Sequence, residues 1–266
     1  MRRASIVVAF AITAFASAGA QSDRAGRFLD NCRRNRNDYA QFCEIRDFGL
    51  AALKGLVVDG RDNGGVSVYG WDRAEIKVIA MVQTQAESDA DAGEIARQVS
   101  VSVNNGDIRA NGPSRTSRHE SWSVSYEIWA PRNTDLALTA SNGGISVEGI
   151  TARMELETVN GGLSLRDVDG DVRGRTVNGG VIADLSGDRW RGSGLDLRTS
   201  NGGVTLYVPS SYNARLETGT VNGGMNIDFP ITVQGTFGRR ISTQLGNGGA
   251  TISATTTNGG VNIRRR

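Results

Sequence analysis

The triplet Asn-Gly-Gly recurs eight times in this chain of 266 residues. From the second copy onward, successive triplets are separated by 18, 18, 23, 21, 25 and 11 residues. Recurrence at intervals of roughly 20 residues is typical of repeat architectures, in which each unit stacks on its neighbours. The triplets begin at Asn63, Asn142, Asn160, Asn178, Asn201, Asn222, Asn247 and Asn258.

The sequence around the triplets keeps a constant register. From the second triplet onward, the positions six residues before the Asn, and three and five residues after it, are all apolar. Alternation with a period of two predicts strands with one buried face, so each unit is interpreted as strand, turn, strand. Because Asn and Gly tolerate the left-handed backbone of tight turns, left-handed φ angles are expected in the triplets. A threonine recurs two positions before the Asn, at Thr158, Thr176, Thr199, Thr220 and Thr256.

Two all-β architectures are compatible with this pattern. In a β-solenoid-like stack, the triplets are corners of successive rungs, and their Asn side chains form a hydrogen-bonded ladder. In a β-sandwich or meander of stacked hairpins, each triplet closes one hairpin. The rung-like spacing and the constant register favour the solenoid, because hairpins need not keep register from unit to unit. The short step before Asn258 fits neither scheme well and indicates a capping turn.

The chain is predicted to have four regions. A signal peptide is followed by an N-terminal segment, by a β-subdomain that covers the open first rung, and by the Asn-Gly-Gly β-repeat domain. Within the β-subdomain, a capping serine at Ser88 and early acidic residues predict one short helix over 88–98. In chain order, the four regions are residues 1–20, 21–54, 55–135 and 136–266.

The N-terminal residues have the pattern of a secretory signal. Arg2 and Arg3 precede an apolar run over 6–15 and the small residues 18–20. The formal net charge of the chain is +2, so removal of these two arginines leaves a neutral protein. Neutrality argues against electrostatic binding of nucleic acid. No later apolar stretch is long enough to cross a bilayer, so the expected location is periplasmic, cell-surface or extracellular.

Cys32 and Cys43 are the two cysteines of the chain. In an exported protein the environment is oxidising, which predicts a disulfide between them. Along one straight helix their Cα atoms would lie about 16 Å apart, too far for a disulfide. The segment between them is therefore expected to turn back on itself.

Candidate catalytic chemistry is sparse, and we expect no catalytic, cofactor-binding or metal site. The single histidine, His119, lies among turn-like residues and is interpreted as a surface side chain. An acidic cluster at Asp167, Asp169 and Asp171 leaves two alternatives open, a Ca²⁺ site or the carboxylates of a lyase or glycosidase. The favoured interpretation of the cluster is a polar turn between strands.

Aromatic side chains offer one further candidate surface. They suit either a sugar-stacking platform or packing at domain seams, and packing is the favoured interpretation. Trp190 is the one expected to be exposed, because it lies in an inserted loop. The arginines at 264–266 are interpreted as a solvated end that can also touch an anionic polymer. The platform candidates are Trp71, Trp122, Trp129, Trp190 and Tyr207.

Several motifs together resemble the bacterial putative-adhesin family of exported β-strand-repeat proteins. They are Tyr-Gly-Trp-Asp at 69–72, Glu-Ile-Lys-Val at 75–78, Ile-Trp-Ala-Pro at 128–131 and the repeated Thr-x-Asn-Gly-Gly units. The resemblance covers about residues 55–263 and implies an envelope or extracellular β-repeat protein. It brings no catalytic residues with it.

The leading functional hypothesis is a non-enzymatic, exported protein whose long faces bind a surface polysaccharide or another envelope protein. One alternative is a carbohydrate-active enzyme on the same scaffold. A second is an envelope-stress sensor or regulatory module in which the segment 21–54 binds the partner. Strands at the ends of the stack also make self-association a possible property of the chain.

Overall fold

The computed structural model describes residues 22–34, 39–114, 117–229 and 239–266. Within these ranges the chain forms two helices and twenty strands. The predicted signal peptide lies outside the described residues. In chain order the elements are α1 (Ser22–Arg34), β1 (Ala40–Ala51), β2 (Gly55–Asp59), β3 (Val66–Trp71), β4 (Glu75–Ala86), α2 (Asp89–Gln98), β5 (Ser100–Asn104), β6 (Asp107–Asn111), β7 (Ser121–Pro131), β8 (Asp135–Ala140), β9 (Ile145–Glu148), β10 (Thr151–Thr158), β11 (Leu163–Arg166), β12 (Asp169–Asn178), β13 (Val181–Asp184), β14 (Gly194–Asn201), β15 (Val204–Val208), β16 (Ala214–Asn222), β17 (Met225–Ile227), β18 (Arg240–Leu245), β19 (Thr251–Asn258) and β20 (Val261–Arg265).

Two mixed sheets of ten strands each form the body of the protein. Sheet A has the order β1-β4-β7-β3-β9-β11-β13-β15-β20-β17, and sheet B has the order β18-β16-β19-β14-β12-β10-β8-β2-β6-β5. A strand of sheet B, a triplet corner and a strand of sheet A together make one rung. The described residues contain seven such rungs, which in stacking order are β2–β3, β8–β9, β10–β11, β12–β13, β14–β15, β19–β20 and β16–β17.

Neighbouring rungs stack in parallel register. Leu163 on β11 is aligned with Ile145 on β9 and with Val181 on β13, and the same registration continues in sheet B. Stacked hairpins would instead pair the two strands that flank each triplet in antiparallel fashion. The β-solenoid-like prediction is therefore confirmed over the hairpin alternative.

The rungs do not stack in chain order. The last rung in the sequence, β19–β20, lies between β14–β15 on one side and β16–β17 on the other. The expectation that the short step before Asn258 marks a cap is therefore wrong. Because every rung presents the same backbone edges and the same corner, its place in the stack is not dictated by its place in the sequence.

The core lies between the two sheets. At most described corners, the apolar positions predicted around each triplet are buried there, as with Met154 and Leu165. At the opposite corner, where sheet A returns to sheet B, a second apolar column fills the turn. This column consists of Ile150, Val168, Leu185 and Val208, each at most 2% exposed.

Antiparallel strands extend sheet A beyond the first rung. β7 pairs with β3 in parallel, β4 pairs antiparallel with β7, and β1 pairs antiparallel with β4. The predicted short helix is present as α2, where the Ser88 hydroxyl accepts a hydrogen bond from the Asp91 amide at 3.2 Å. β2 pairs with β8, so the regions 55–135 and 136–266 contribute strands to the same sheets.

The N-terminal segment folds onto the outer face of sheet A. The helix α1 packs Ala25 and Phe28 against Ile79 and Met81. Cys32 on α1 and Cys43 on β1 form a disulfide, with Cα atoms 6.4 Å apart. Neither α1 nor β1 was predicted as a regular element. No helix in the described ranges is long and apolar enough to span a membrane.

Candidate binding groove along the triplet corners

The triplet Asn side chains form a continuous ladder along one corner of the stack. Each amide nitrogen donates to the amide oxygen of the preceding rung, at 3.3 Å for the first step and 2.7–2.8 Å for the other five. A chain of aligned amides is mutually polarising, which strengthens each bond. In stacking order the members are Asn63, Asn142, Asn160, Asn178, Asn201, Asn258 and Asn222.

Asn247 lies away from the ladder. It follows β18 in a turn whose glycines adopt left-handed conformations, with φ of 53° at Gly246 and 77° at Gly248. The backbone amide of Asn247 donates to the side-chain oxygen of Asn213 at 2.8 Å. This triplet is therefore part of a connection between strands, whereas the other seven are corners.

The recurring threonines join one rung to the next. The Thr176 hydroxyl donates to the carbonyl of Gly161 at 2.7 Å, and the Thr199 hydroxyl to that of Gly179 at 2.8 Å. These hydroxyls are buried, and each satisfies a carbonyl that the corner turns away from the sheet ladder. The threonine pattern thus follows from hydrogen bonding between rungs.

The first glycine of each ladder triplet is required by close packing between rungs. A Cβ atom placed on Gly179 would lie 2.0 Å from the carbonyl oxygen of Gly161, a contact that cannot be accommodated. Among the described ladder corners, the only left-handed φ is 154° at Gly259. The expectation of left-handed triplets is therefore wrong at the other ladder corners, where the neighbouring rung leaves no room for a side chain at the first glycine.

A long groove runs beside the ladder on the outer face of sheet B. It has a volume of about 740 Å³ and extends from Asp59 on β2 to Arg240 on β18. Eight adjacent strands at a spacing of about 4.8 Å make it roughly 30 Å long. We call it the corner groove. The residue before each ladder Asn other than Asn63 contributes to its lining, and in stacking order these are Ser141, Val159, Val177, Ser200, Thr257 and Val221.

The valines of this row are unusually open to solvent. Val159, Val177 and Val221 are between 43% and 48% exposed, although each lies at the end of a strand whose preceding residue is buried. Along the groove, these apolar side chains therefore lie between residues that carry hydroxyl groups. Among the described lining residues there is no aromatic side chain.

A charged row flanks the apolar one. Glu157, Arg175 and Arg198 occupy equivalent positions on three adjacent strands, so Arg175 lies between a carboxylate and a second guanidinium. Arg198 is held by Asp196 through two contacts of 2.8 and 2.9 Å, and this hydrogen bonding raises the pKa of Arg198. Arg175 forms no hydrogen bond with the described residues. Its guanidinium is available to a ligand.

Arginines also close the far end of the corner groove. Arg239 donates to the carbonyl of Val221 at 2.5 Å, and Arg240 is aligned with Gly219, which has no side chain to obstruct the groove. Basic groups thus outnumber acidic ones in the lining, where Asp59 and Glu157 are the carboxylates. The groove is basic on a chain of nearly balanced charge.

His119 is not among the residues that line the corner groove. Its Nδ1 lies 2.9 Å from a carboxylate oxygen of Glu87, and its ring stacks on Tyr39 at a centroid distance of 4.6 Å. These contacts join a loop to the ends of β4 and β1. His119 therefore has a surface pairing role, in keeping with its interpretation from sequence.

The three aspartates of the acidic cluster do not converge on one site. Asp169 is buried and accepts hydrogen bonds from the backbone and the guanidinium of Arg191, at 3.0 and 2.9 Å. Asp167 accepts a hydrogen bond from Ser186, and Asp171 lies on the outer face of sheet B. In the described parts of the chain, no group of three His, Cys, Asp or Glu residues is arranged to hold a metal ion.

The aromatic candidates are dispersed. Trp190, expected to be exposed, is 4% exposed and donates to the carbonyl of Gly170 at 2.9 Å, so that expectation is wrong. The inserted loop folds back over the apolar corner, which supplies an acceptor for the indole. Trp122 is likewise bonded to Pro113, whereas Tyr207 is exposed on β15.

The arginines at the C-terminal end are paired. Arg266 contacts Asp184 at 2.6 Å, Arg264 lies 3.8 Å from Asp228, and the guanidinium of Arg265 lies over the ring of Phe229. These contacts attach β20 to strands on both sides of it.

These features define a class of protein: a β-solenoid-like repeat protein with an Asn ladder and an open groove along one corner. The chain belongs to the Toastrack DUF4097 family, whose model matches residues 61–264. No curated protein matches the sequence.

The chain is also similar to several solved structures, each at a TM-score below 0.5. A putative cell adhesion protein from Clostridium sporogenes is 14% identical, with a TM-score of 0.48, over 85% of this chain and 100% of that one. A putative adhesin from Bacteroides fragilis is 12% identical, with a TM-score of 0.37, over 85% and 97%. A putative lipid binding protein from Parabacteroides distasonis is 8% identical, with a TM-score of 0.34, over 83% and 96%.

Proposed function

We propose that the protein is an exported, non-enzymatic binding protein whose corner groove holds a linear acidic polysaccharide of the cell envelope. The observation that carries this proposal is the groove that crosses eight strands of the stack and is lined by arginines. A long, shallow, open surface suits a polymer better than a small molecule, which pockets enclose on most sides.

The charge of the groove favours an anionic polymer. The planar guanidinium of arginine matches carboxylate and sulfate groups in a two-pronged arrangement. Arg175 has no hydrogen-bonding partner among the residues that the structure describes, and Arg198 is fixed beside it by Asp196. Neutral sugars are usually held by stacking on aromatic rings, which the described lining lacks. The open valines suit the apolar faces of sugar rings.

The proposal also includes export and the absence of catalysis, and separate observations support these two parts. The N-terminal signal pattern and the disulfide between Cys32 and Cys43 both favour an oxidising compartment. The segment 21–54, considered as a separate partner-binding element, is packed onto sheet A in its described part. The carboxylate Asp169, needed by the enzymatic alternative, is already engaged by Arg191.

A titration calorimetry experiment with matched polymers tests the proposal. Polygalacturonate is compared with the same polymer after full methyl esterification, which keeps the backbone and removes the charge. We expect binding of the charged form alone, and binding that weakens as salt rises. Polyglutamate serves as the acidic protein-like chain; tighter binding of polyglutamate than of polygalacturonate would contradict the polysaccharide assignment.

Charge-matched variants locate the site. The double substitution Arg175→Gln and Arg198→Gln is expected to weaken polygalacturonate binding at least tenfold. Arg153→Gln with Arg215→Gln removes the same charge from the same sheet, but outside the groove, and should leave binding nearly unchanged. Equal losses of affinity in the two double variants, or no binding of any polymer by the parent protein, would contradict the proposal.

A further inference from the structure

The rung β19–β20 occupies an interior position in the stack. We call the space that it fills, between β14–β15 and β16–β17, the gap. On one side the Asn258 amide donates to Asn201 at 2.8 Å, and on the other the Asn222 amide donates to Asn258 at 2.8 Å. In sheet B, β19 pairs over its length with both β14 and β16, and in sheet A, β20 pairs with both β15 and β17. The gap therefore has a wall on each side in both sheets, and the wall formed by β17 covers the first three residues of β20.

These walls recognise the features of a Thr-x-Asn-Gly-Gly unit. The Thr256 hydroxyl donates to the Gly202 carbonyl at 2.7 Å, and the Thr220 hydroxyl of the opposite wall donates to the Gly259 carbonyl at 2.8 Å. The gap also encloses the apolar side chains of the rung completely. These are Ile252, Ala254, Val261 and Ile263, all at 0% exposure.

The rung β16–β17 pairs with the rest of the stack through β19–β20. In the described residues, β16 pairs with β18 and β19 but not with β14. Without β19–β20, the edges of β14 and β15 would face those of β16 and β17 across an empty space of one rung. Unpaired edges of this kind recruit another strand of suitable sequence.

The connection into the gap is short and crosses a strand. Leu245 at the end of β18 is aligned with Ala214, and Thr251 at the start of β19 with Arg215, so β16 lies between them. Two strand spacings separate the ends by about 9.6 Å. Residues 246–250 bridge this distance through a chain bent at left-handed glycines.

We infer that the gap is a binding site for a β19–β20 segment, and that a second copy of this chain can supply the segment in exchange for its own. Exchange reproduces every contact of the rung with identical residues, so its free-energy cost is confined to the connection and to association itself. The inference is independent of what the corner groove binds, and it differs from pairing through end strands because the exchanged element is interior.

Shortening the connection tests the inference in the full-length chain. Deletion of residues 246–249 leaves one residue between Leu245 and Thr251, which spans at most about 7.6 Å from Cα to Cα. The chain's own rung can then no longer reach its gap. We expect a dimer of twice the monomer mass by light scattering, with native far-UV circular dichroism. The dimer should persist after hundredfold dilution, because separation requires the rung to be withdrawn.

The matched control lengthens the same connection. Insertion of Gly-Ser-Gly-Ser after Gly248 keeps cis closure possible and should give a monomer. A folded monomer from the deletion variant, or a dimer that dissociates promptly on dilution as edge-paired strands would, overturns the inference.

A second measurement applies if the deletion variant does not fold. Two full-length chains with different affinity tags are unfolded, mixed at high concentration and refolded together. Mixed dimers that survive dilution and two-tag purification support exchange. If refolding yields monomers alone, or dimers that separate on dilution, the inference is wrong.

Discussion

The hydroxyl of Thr176 donates to the carbonyl of Gly161, a residue 15 positions earlier in the sequence and one rung lower in the stack, at 2.7 Å. The same bond recurs between Thr199 and Gly179. A repeat that looks like local turn chemistry in the sequence is thus a set of contacts between units.

Replacing Thr176 with valine should destabilise the protein without changing its shape. Valine keeps the β-branched volume but leaves the Gly161 carbonyl without its donor, which we expect to cost about 1–2 kcal/mol in the free energy of unfolding. Urea denaturation measures this. The exposed Thr151→Val is the control, since its hydroxyl makes no bond within the described structure. A loss no larger than the control's would contradict the proposed role.

Two glycines of one triplet should differ sharply in their tolerance of alanine. Gly179→Ala places a methyl group against the Gly161 carbonyl, and we expect a loss of at least about 2 kcal/mol. At Gly180 the nearest atom to an added Cβ is 3.7 Å away, so Gly180→Ala should change stability by no more than about 0.5 kcal/mol. Thermal or urea unfolding compares them. Similar losses at both positions would mean that inter-rung packing is not the cause.

The middle of the ladder should be more sensitive than a triplet outside it. Asn178→Ala removes one donated and one accepted side-chain bond, and we expect a cost of about 1 kcal/mol, moderated by solvent access to the neighbouring amides. Asn247→Ala is the control, because Asn247 contacts Asn213 through its backbone amide, which alanine keeps. Greater destabilisation by the Asn247 substitution would reverse the assignment of corner and connection.

Alkaline stability should depend on two buried tyrosines. Burial raises the pKa of Tyr126 and of Tyr212 above the ordinary value, and neither hydroxyl has a hydrogen-bonding partner in the described residues. In the unfolded chain a tyrosine ionises near about pH 10. The unfolded state then loses protons that the folded state retains, so stability is full below pH 10 and falls as pH rises beyond it.

Substitution with phenylalanine tests this dependence. The double variant Tyr126→Phe and Tyr212→Phe should show a shallower decline in unfolding free energy above pH 10, measured by urea denaturation. At pH 7 it should be as stable as the parent or slightly more so, because each change removes an unpaired buried hydroxyl. The exposed Tyr207→Phe should leave the decline unchanged. A decline that is identical in all three proteins would rule out the buried phenols.

Much of the fold was accessible from the sequence because the same signal is repeated. The alternating apolar positions fixed which residues face the core, and the constant register distinguished stacked rungs from hairpins. The elements α1 and β1 were not predicted because the sequence of α1 is mostly polar and charged, and because β1 has no fully buried residue.

Long-range packing accounts for what could not be predicted. Trp190 is buried because its loop folds onto a corner formed by residues 20 positions earlier, which local polarity does not reveal. The corner groove is lined by the residue before each ladder Asn, which is valine in some rungs and serine or threonine in others. No single sequence motif therefore predicts it. The order of the rungs is also hidden, because their edges are interchangeable.

The position of β19–β20 also sets the order in which the rungs of this protein can assemble. Once the first 245 residues have reached the compartment where the protein folds, both neighbours of the gap are present, but the strands β19 and β20 that join them in register are not. Assembly from the N-terminus can proceed as far as Val208, the end of β15, and must then wait for the last segment to emerge. A premature stop in that segment would therefore leave the rung β16–β17 fully synthesised but without the strands that attach it to β14–β15.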